Sequence, residues 1–77
     1  MKTYLLIWFN SNGARPSEVT RSLMSLGFTP VKGPYDYVYD WGNHVDMDEI
    51  LNFGDKVQMT LKDTGVMFKI ETVNGTL

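Results

Sequence analysis

The sequence predicts an α+β domain whose elements follow the order β-α-β-β-α-β. Three observations lead to this prediction. Residues 3–9 are β-branched, aromatic or aliphatic throughout, which is typical of a buried strand. Two later segments carry apolar side chains at helical spacing. The remaining segments are extended or alternate strictly between apolar and other residues. With 77 residues, the chain has room for one domain, residues 1–77, and not for two.

The first strand, residues 3–9, is apolar on both of its alternating faces. A strand of this kind is usually central in its sheet and covered on both sides. The first helix is predicted over residues 16–26. Pro16 fits the first helical turn, where no backbone N–H donor is needed, and Gly27 is suited to the position just after the last turn.

Residues 28–41 are predicted to form two strands. The first covers residues 28–32 and contains Pro30. Because proline cannot donate a hydrogen bond to a neighbouring strand, this strand is expected at an edge of the sheet. Gly33 and Pro34 form a turn, and residues 35–41 then alternate strictly, with an aromatic side chain at every odd position.

The second helix is expected to start after Asp46, with Asp46 and Glu49 as an N-terminal capping pair, and to end before Gly65. Residues 66–73 alternate and form the last strand, followed by a frayed tail at 74–77. The commonest small fold with this order is the ferredoxin-like two-layer sandwich, an antiparallel four-stranded sheet with two helices on one face. In that fold the first and third strands are central, in agreement with the apolar first strand and with Pro30 at an edge.

Composition and charge exclude several classes of protein. The chain has no cysteine, so disulfides and thiolate zinc sites are absent. Its formal net charge is −2 and it has no Lys/Arg cluster, which argues against nucleic acid as a partner. Its longest apolar run is too short to cross a bilayer, so no membrane partner is predicted. With no readable signal peptide, the expected location is the cytoplasm.

Two helices cover only one face of a four-stranded sheet, so the other face is expected to expose apolar groups. Three occupants were considered for this face: RNA, a second copy of the chain, or a segment of the chain itself, such as the C-terminal tail or a displaced helix. The charge disfavours RNA. A homo-oligomer, a dimer through the sheet face, is therefore predicted. The expected interface residues are Tyr4, Leu6, Trp8, Tyr37, Tyr39 and Trp41. The orientation of residues 35–41 stays open, since outward aromatics would turn Asp36 and Asp40 towards the helices.

Two short segments resemble a known family. Residues 32–39, Lys-Gly-Pro-Tyr-Asp-Tyr-Val-Tyr, are similar to a segment of GYD domains and of the ligand-sensing domains of Lrp/AsnC-type regulators. Gly65, Val66 and Thr72 are similar to residues of their closing strand. The resemblance implies a dimeric α+β barrel with a small-molecule site near the turn. On that basis Gly33, Tyr35 and Asp36 are candidate ligand-binding residues. The chain lacks the helix-turn-helix of the regulators, and Pro34 occupies a variable position of the motif.

Other polar residues suggest chemistry of different kinds. Arg15 precedes a helix N-terminus, where an anion is favoured, and is a further candidate ligand-binding residue. His44, Asp46, Asp48 and Glu49 lie close together in sequence, but helix capping accounts for the acidic ones and their spacing matches no metal motif, so neither a metal nor another cofactor is predicted.

The sequence therefore favours a non-catalytic small-ligand-binding or regulatory module that acts as an oligomer. The alternative is a small enzyme for an anionic or aromatic substrate, by analogy with acylphosphatases of the same fold. Its best catalytic candidates are Arg15, His44 and Asp36.

Overall fold

The six elements follow one another in the predicted order. The structure, a computed structural model, describes residues 1–75. The elements are β1 (Lys2–Trp8), α1 (Pro16–Leu26), β2 (Thr29–Pro30), β3 (Tyr37–Asp40), α2 (Met47–Leu61) and β4 (Met67–Val73). The last two residues of the predicted tail lie outside the described residues.

The four strands form one antiparallel sheet in the order β2-β3-β1-β4. The central strands are β1 and β3, which confirms the predicted ferredoxin-like arrangement. The second strand has only two residues, Thr29 and Pro30, and lies at an edge. Its shortness is in keeping with the missing backbone donor of Pro30. The other edge strand, β4, pairs with β1 over seven residues.

The helices lie on one face of the sheet and cover the core. The core residues come from β1, both helices and the aromatic side chains around β3; they are Leu5, Ile7, Val19, Leu23, Phe28, Tyr37, Phe53, Val57 and Leu61. Tyr39 and Trp41 pack against this core, with ring centroids 4.4 and 5.2 Å from that of Phe53. Burial of these large side chains is the main stabilising contribution available to a chain without disulfides.

The aromatic side chains of β3 therefore face the helices, which corrects part of the predicted interface. The Tyr37 hydroxyl lies 2.6 Å from Thr20 Oγ1 of α1. Tyr37, Tyr39 and Trp41 thus belong to the core, while Tyr4, Leu6 and Trp8 lie on the opposite face of the sheet, because side chains alternate along β1.

Asp36, just before β3, and Asp40, its last residue, explain why this orientation is stable. Asp36 Oδ2 accepts a hydrogen bond from the backbone N–H of Ile7, and Asp40 Oδ1 accepts one from the backbone N–H of Gly42, both at 2.9 Å. Each carboxylate lies on the face away from the helices, so neither is buried in the core. The energetic cost of two desolvated carboxylates on the helix side is avoided.

One buried polar chain crosses the helix-facing side of the sheet. Trp41 Nε1 donates to Thr3 Oγ1 at 2.7 Å, and Thr3 Oγ1 lies 2.7 Å from Thr72 Oγ1. Thr3 is fully buried. Because a buried polar group is costly unless it is hydrogen-bonded, these bonds favour one register for the end of β3, for β1 and for β4.

The second helix begins at Met47 as predicted, with Asp46 as its N-terminal flanking residue, but the expected side-chain capping bond of Asp46 is absent. The helix continues through Gly54 without a break, and a Cβ atom at that position would meet no other atom within 4 Å. Gly54 therefore does not serve a close approach between helix and sheet.

Candidate functional site

The segment between β2 and β3, residues 31–36, folds back over the face of the sheet that the helices leave open. Gly33 has a φ of 123°, which glycine adopts readily and other residues rarely do. The Val31 N–H donates to the Asp36 carbonyl at 2.9 Å and closes the segment at its base. Within residues 1–75, this segment, and not a displaced helix, covers part of the open face.

Tyr35 is the residue of this segment that reaches across the sheet. Its ring lies 5.5 Å from the ring of Tyr4 in β1, and its hydroxyl donates to a carboxylate oxygen of Glu71 in β4. The Lys69 ammonium lies 5.8 Å from the centroid of the same ring. Tyr4 is consequently only 5 % exposed although it lies on the open face.

A cleft of about 250 Å³ opens beside Tyr35. Its walls combine aromatic and aliphatic side chains with two lysines; they are Lys2, Tyr4, Val31, Lys32, Pro34, Tyr35 and Val38. No acidic side chain lines this cleft among the described residues. The arrangement suits a small molecule with an apolar body, held against the two tyrosines, and a negative group directed towards the lysines.

The predicted ligand-binding residues have different roles in this segment. Tyr35 lines the cleft. Gly33 shapes the turn through its positive φ. Asp36 lies at the end of the segment, where its carboxylate accepts the Ile7 N–H just beyond the last β1–β3 pair, Leu5 with Tyr37. Asp36 thus extends the hydrogen bonding between the central strands.

Arg15 is engaged elsewhere. Its guanidinium donates to Glu18 Oε1 from Nε at 3.0 Å and from Nη2 at 2.5 Å, on the exposed first turn of α1. The same hydrogen bonds and the negative charge of Glu18 raise the pKa of Arg15 above its ordinary value. The contacts of Arg15 with Glu18 do not join it to residues 31–36.

Among the described residues, no hydrogen bond or ion pair joins the candidate catalytic residues Arg15, Asp36 and His44 to one another. Asp36 and Asp40 lie at opposite ends of β3, about 13 Å apart along an extended chain, and each carboxylate accepts a backbone N–H. His44 is exposed in the loop that follows Asp40. Within residues 1–75, no group of three or more histidine or acidic side chains is placed to hold a metal ion.

A second cleft, of about 280 Å³, lies between β3 and α2. It is lined by Tyr39, Trp41, Glu49, Asn52, Phe53 and Lys56. Sequence reasoning did not identify this cleft. Its walls carry one acidic and one basic side chain, so it offers less attraction for an anion than the cleft at Tyr35.

The open face also has an apolar end that residues 31–36 do not reach. Trp8 of β1 lies directly opposite Met67 of β4, and these side chains are 52 % and 71 % exposed. Leu6, two residues before Trp8, is partly exposed on the same face. Exposed apolar groups that adjoin one another in this way commonly mark a contact surface.

Several residues of the Tyr35 cleft escaped sequence reasoning. Lys2, Tyr4 and Val38 come from β1 and β3, and they share a face because Tyr4 is paired with Val38. The alternation of the predicted first strand, residues 3–9, already placed Tyr4 on one side with Leu6 and Trp8. The missing information was the orientation of β3, which decides whether Val38 or its aromatic neighbours share that side.

Replacing Asp36 with alanine removes the acceptor for the Ile7 N–H, and we expect a loss of about 1–3 kcal/mol in the free energy of unfolding. Asparagine keeps an acceptor oxygen at the same place, so D36N is expected to retain most of the stability. Urea unfolding of the native protein, D36N and D36A measures the difference. Equal midpoints for D36A and the native protein would contradict this structural role.

The hydrogen bond to Glu71, with partial burial, raises the pKa of the Tyr35 hydroxyl above its ordinary value, while Lys69 lowers it. The unfolded chain therefore loses this proton at lower pH than the folded chain, and alkaline pH favours unfolding. The stability advantage of the native protein over Y35F is expected to be full below about pH 10 and to shrink above it. Thermal unfolding of both proteins between about pH 8 and pH 11.5 tests this expectation. An advantage that stays constant over the range would count against the bond.

No protein-family model matches this chain, and neither does any curated protein or solved structure. Within residues 1–75, neither helix has the length and apolar character needed to cross a membrane. The resemblance of residues 32–39 to GYD and Lrp/AsnC sensing domains stays a prediction.

Proposed function

We propose that this protein is a small-ligand-binding module whose ligand is a small organic anion with an apolar body, held in the cleft beside Tyr35. The observation that carries the proposal is the composition of this cleft. Tyr4, Tyr35, Val31 and Val38 offer apolar walls, and Lys32 supplies a positive charge at the rim. Few polar groups among apolar walls are characteristic of sites that bind small molecules.

The size of the cleft limits the ligand. About 250 Å³ is near the lower end of the range for ligand pockets, roughly 300–1,000 Å³. An aromatic or branched aliphatic carboxylate is of suitable size. Larger ligands such as nucleotides exceed the space available, and their phosphates would need more cationic side chains than line the cleft.

The position of Tyr35 supports binding at this cleft and not elsewhere on the surface. Its ring is held from two sides, by Tyr4 beneath it and by the bond of its hydroxyl to Glu71. A wall that is already ordered loses little conformational entropy when a ligand packs against it. The glycine turn and aromatic position that the GYD and Lrp/AsnC resemblance assigns to a ligand site are parts of the same segment.

We further propose that the module acts as a homo-oligomer in which a second copy covers the apolar end of the open face. The proposal rests on Leu6, Trp8 and Met67, which lie on the face opposite the helices. The contact is smaller than the sequence predicted, because Tyr37, Tyr39 and Trp41 belong to the core and residues 31–36 cover Tyr4.

Binding is expected to raise the melting temperature, because a ligand that binds only the folded state stabilises it by about 2.7 kcal/mol at 100 times its Kd. The test ligands are the carboxylates benzoate and isovalerate, and benzyl alcohol is the uncharged control. Amino acids, nucleotides and inorganic phosphate are tested separately as alternative classes of ligand. We expect the carboxylates to raise the melting temperature most. K32Q should reduce the rise at least severalfold, whereas K56Q, which alters the cleft between β3 and α2, should leave it unchanged.

Two results would contradict the assignment. One is the absence of any rise with every carboxylate tested. The other is a rise that K56Q abolishes and K32Q retains, which would place the ligand in the cleft between β3 and α2.

Replacing Trp8 with serine removes the largest exposed apolar group of the open face, and we expect the oligomer to dissociate at concentrations where the native protein remains associated. Sedimentation velocity across a concentration series measures this change. M59S is the matched control, since Met59 is equally exposed as Met67, at 71 %, but lies on α2 in the helix layer. An unchanged mass distribution for W8S would refute the face contact.

A further inference from the structure

The two edges of the sheet differ in how well they are protected from another strand. The β2 edge consists of two residues, one of them Pro30. The β4 edge is seven residues long, and its pairing with β1 runs from Met67 to Val73 without a skipped residue. Within the described residues, β1 is the only strand that pairs with β4. The outer backbone N–H and C=O groups of β4 are therefore available to a further strand.

The side chains of β4 alternate between the two faces of the sheet. Lys69 and Glu71 lie on the open face, opposite Leu6 and Tyr4 of β1, and Ile70 between them lies on the helix-facing side, opposite Leu5. Ile70 is nevertheless 36 % exposed, because it lies at the edge of the sheet. The strand thus carries one positive and one negative charge, placed evenly about an exposed apolar residue.

We propose that a second copy of this chain adds to the β4 edge by antiparallel pairing of β4 with itself, centred on Ile70. In this register Lys69 lies directly opposite the partner's Glu71, and by symmetry Glu71 lies opposite the partner's Lys69. Ile70 faces its own copy across the two-fold axis, and Met67 faces the partner's Val73. Two opposite-charge pairs and one apolar pair form at the centre of a joined eight-stranded sheet.

The charge pattern selects this register among those that symmetry allows. Shifting the centre by one residue towards Lys69 places two lysines opposite each other, and shifting it towards Glu71 places two glutamates opposite each other. A half-step shift, which would bring Lys69 opposite the partner's Ile70, is not possible between two copies joined at this edge, because directly opposed residues of an antiparallel pair lie on the same face of the sheet. The register centred on Ile70 also pairs all seven residues of β4 with residues of the partner's β4, whereas every other register pairs fewer.

Tyr35 holds the two charges in place for such pairing. Its hydroxyl binds Glu71, and its ring lies 5.8 Å below the Lys69 ammonium. Both side chains are therefore partly ordered before a second strand arrives, which reduces the entropic cost of association. This edge contact shares Met67 with the proposed contact of the open face but does not involve Trp8, and it can form without a ligand in the Tyr35 cleft.

Reversing one charge at a time provides the test. K69E carries two acidic groups and E71K two basic groups, so each variant repels its own copy at the edge. We expect each variant alone to bind itself at least about tenfold more weakly than the native protein, which corresponds to about 1.4 kcal/mol. Mixed together, K69E and E71K should form heterodimers in preference to homodimers, because every opposed pair is then of opposite charge.

Native mass spectrometry with one variant isotopically labelled counts the heterodimers, and sedimentation velocity measures the affinities. Both measurements are repeated with K69E and E71K in proteins that also carry W8S, so that the open-face contact is removed and only the edge contact remains. The doubly reversed variant K69E/E71K should recover self-association, and K62E, a charge reversal at the end of α2, should not change it. Circular dichroism establishes that each variant is folded.

A statistical mixture of copies, with no preference for the heterodimer, would overturn the edge contact. So would a W8S protein that remains monomeric up to millimolar concentration. A heterodimer preference that persists in W8S would support the edge contact even where the open-face contact fails. A W8S protein that loses part of the native mass but remains a dimer would locate the lost contact on the open face and would support the edge contact.

Discussion

Two helices can cover only one face of a four-stranded sheet, and this constraint governs the rest of the structure. Residues 31–36 cover part of the other face. They leave the edge of the sheet, turn at Gly33 and place the Tyr35 ring over Tyr4. The hydroxyl of Tyr35 then reaches Glu71 on the far side of β1. These six residues thereby cover part of a face that would otherwise require a third layer of structure. The cleft to which we assign a ligand lies beside this segment.

The sequence was sufficient for the order of elements and for the positions of the strands in the sheet. Pro30 restricted its strand to an edge, and the uninterrupted apolar run of the first strand required a central place, which together leave few arrangements. It was not sufficient for the orientation of β3. Aromatic residues suit both a core and a binding face, and the outcome depends on Asp36 and Asp40, whose carboxylates accept backbone N–H groups at the strand ends. The bond of Asp36 to the Ile7 N–H joins residues 29 apart in sequence, so it forms only when the chain folds.

The candidate site was only partly predictable, because part of it depends on the orientation of β3. Tyr35 belongs to a short motif that is visible in sequence, whereas Val38 joins the cleft only through its pairing with Tyr4. Arg15 was chosen because it precedes a helix, where anions are favoured. Glu18 lies three residues further along, a spacing at which opposite charges on a helix attract each other, and the structure shows this ion pair, which was not predicted from the sequence. A local charge partner within one helical turn is thus a better guide than the helix terminus alone.

Tyr35 contacts both of the surfaces to which we assign a partner. One side of its ring borders the cleft, and its hydroxyl and ring hold Glu71 and Lys69 on the β4 edge. A ligand that shifts the ring must alter the placement of both charges, and a second copy that draws Glu71 away from the hydroxyl must alter the wall of the cleft. Thermodynamic linkage makes the two effects equal, so the factor by which a ligand changes self-association is the factor by which self-association changes ligand affinity. Regulation by a small molecule would then need no movement of the helices, since the coupling passes through one side chain on the opposite face.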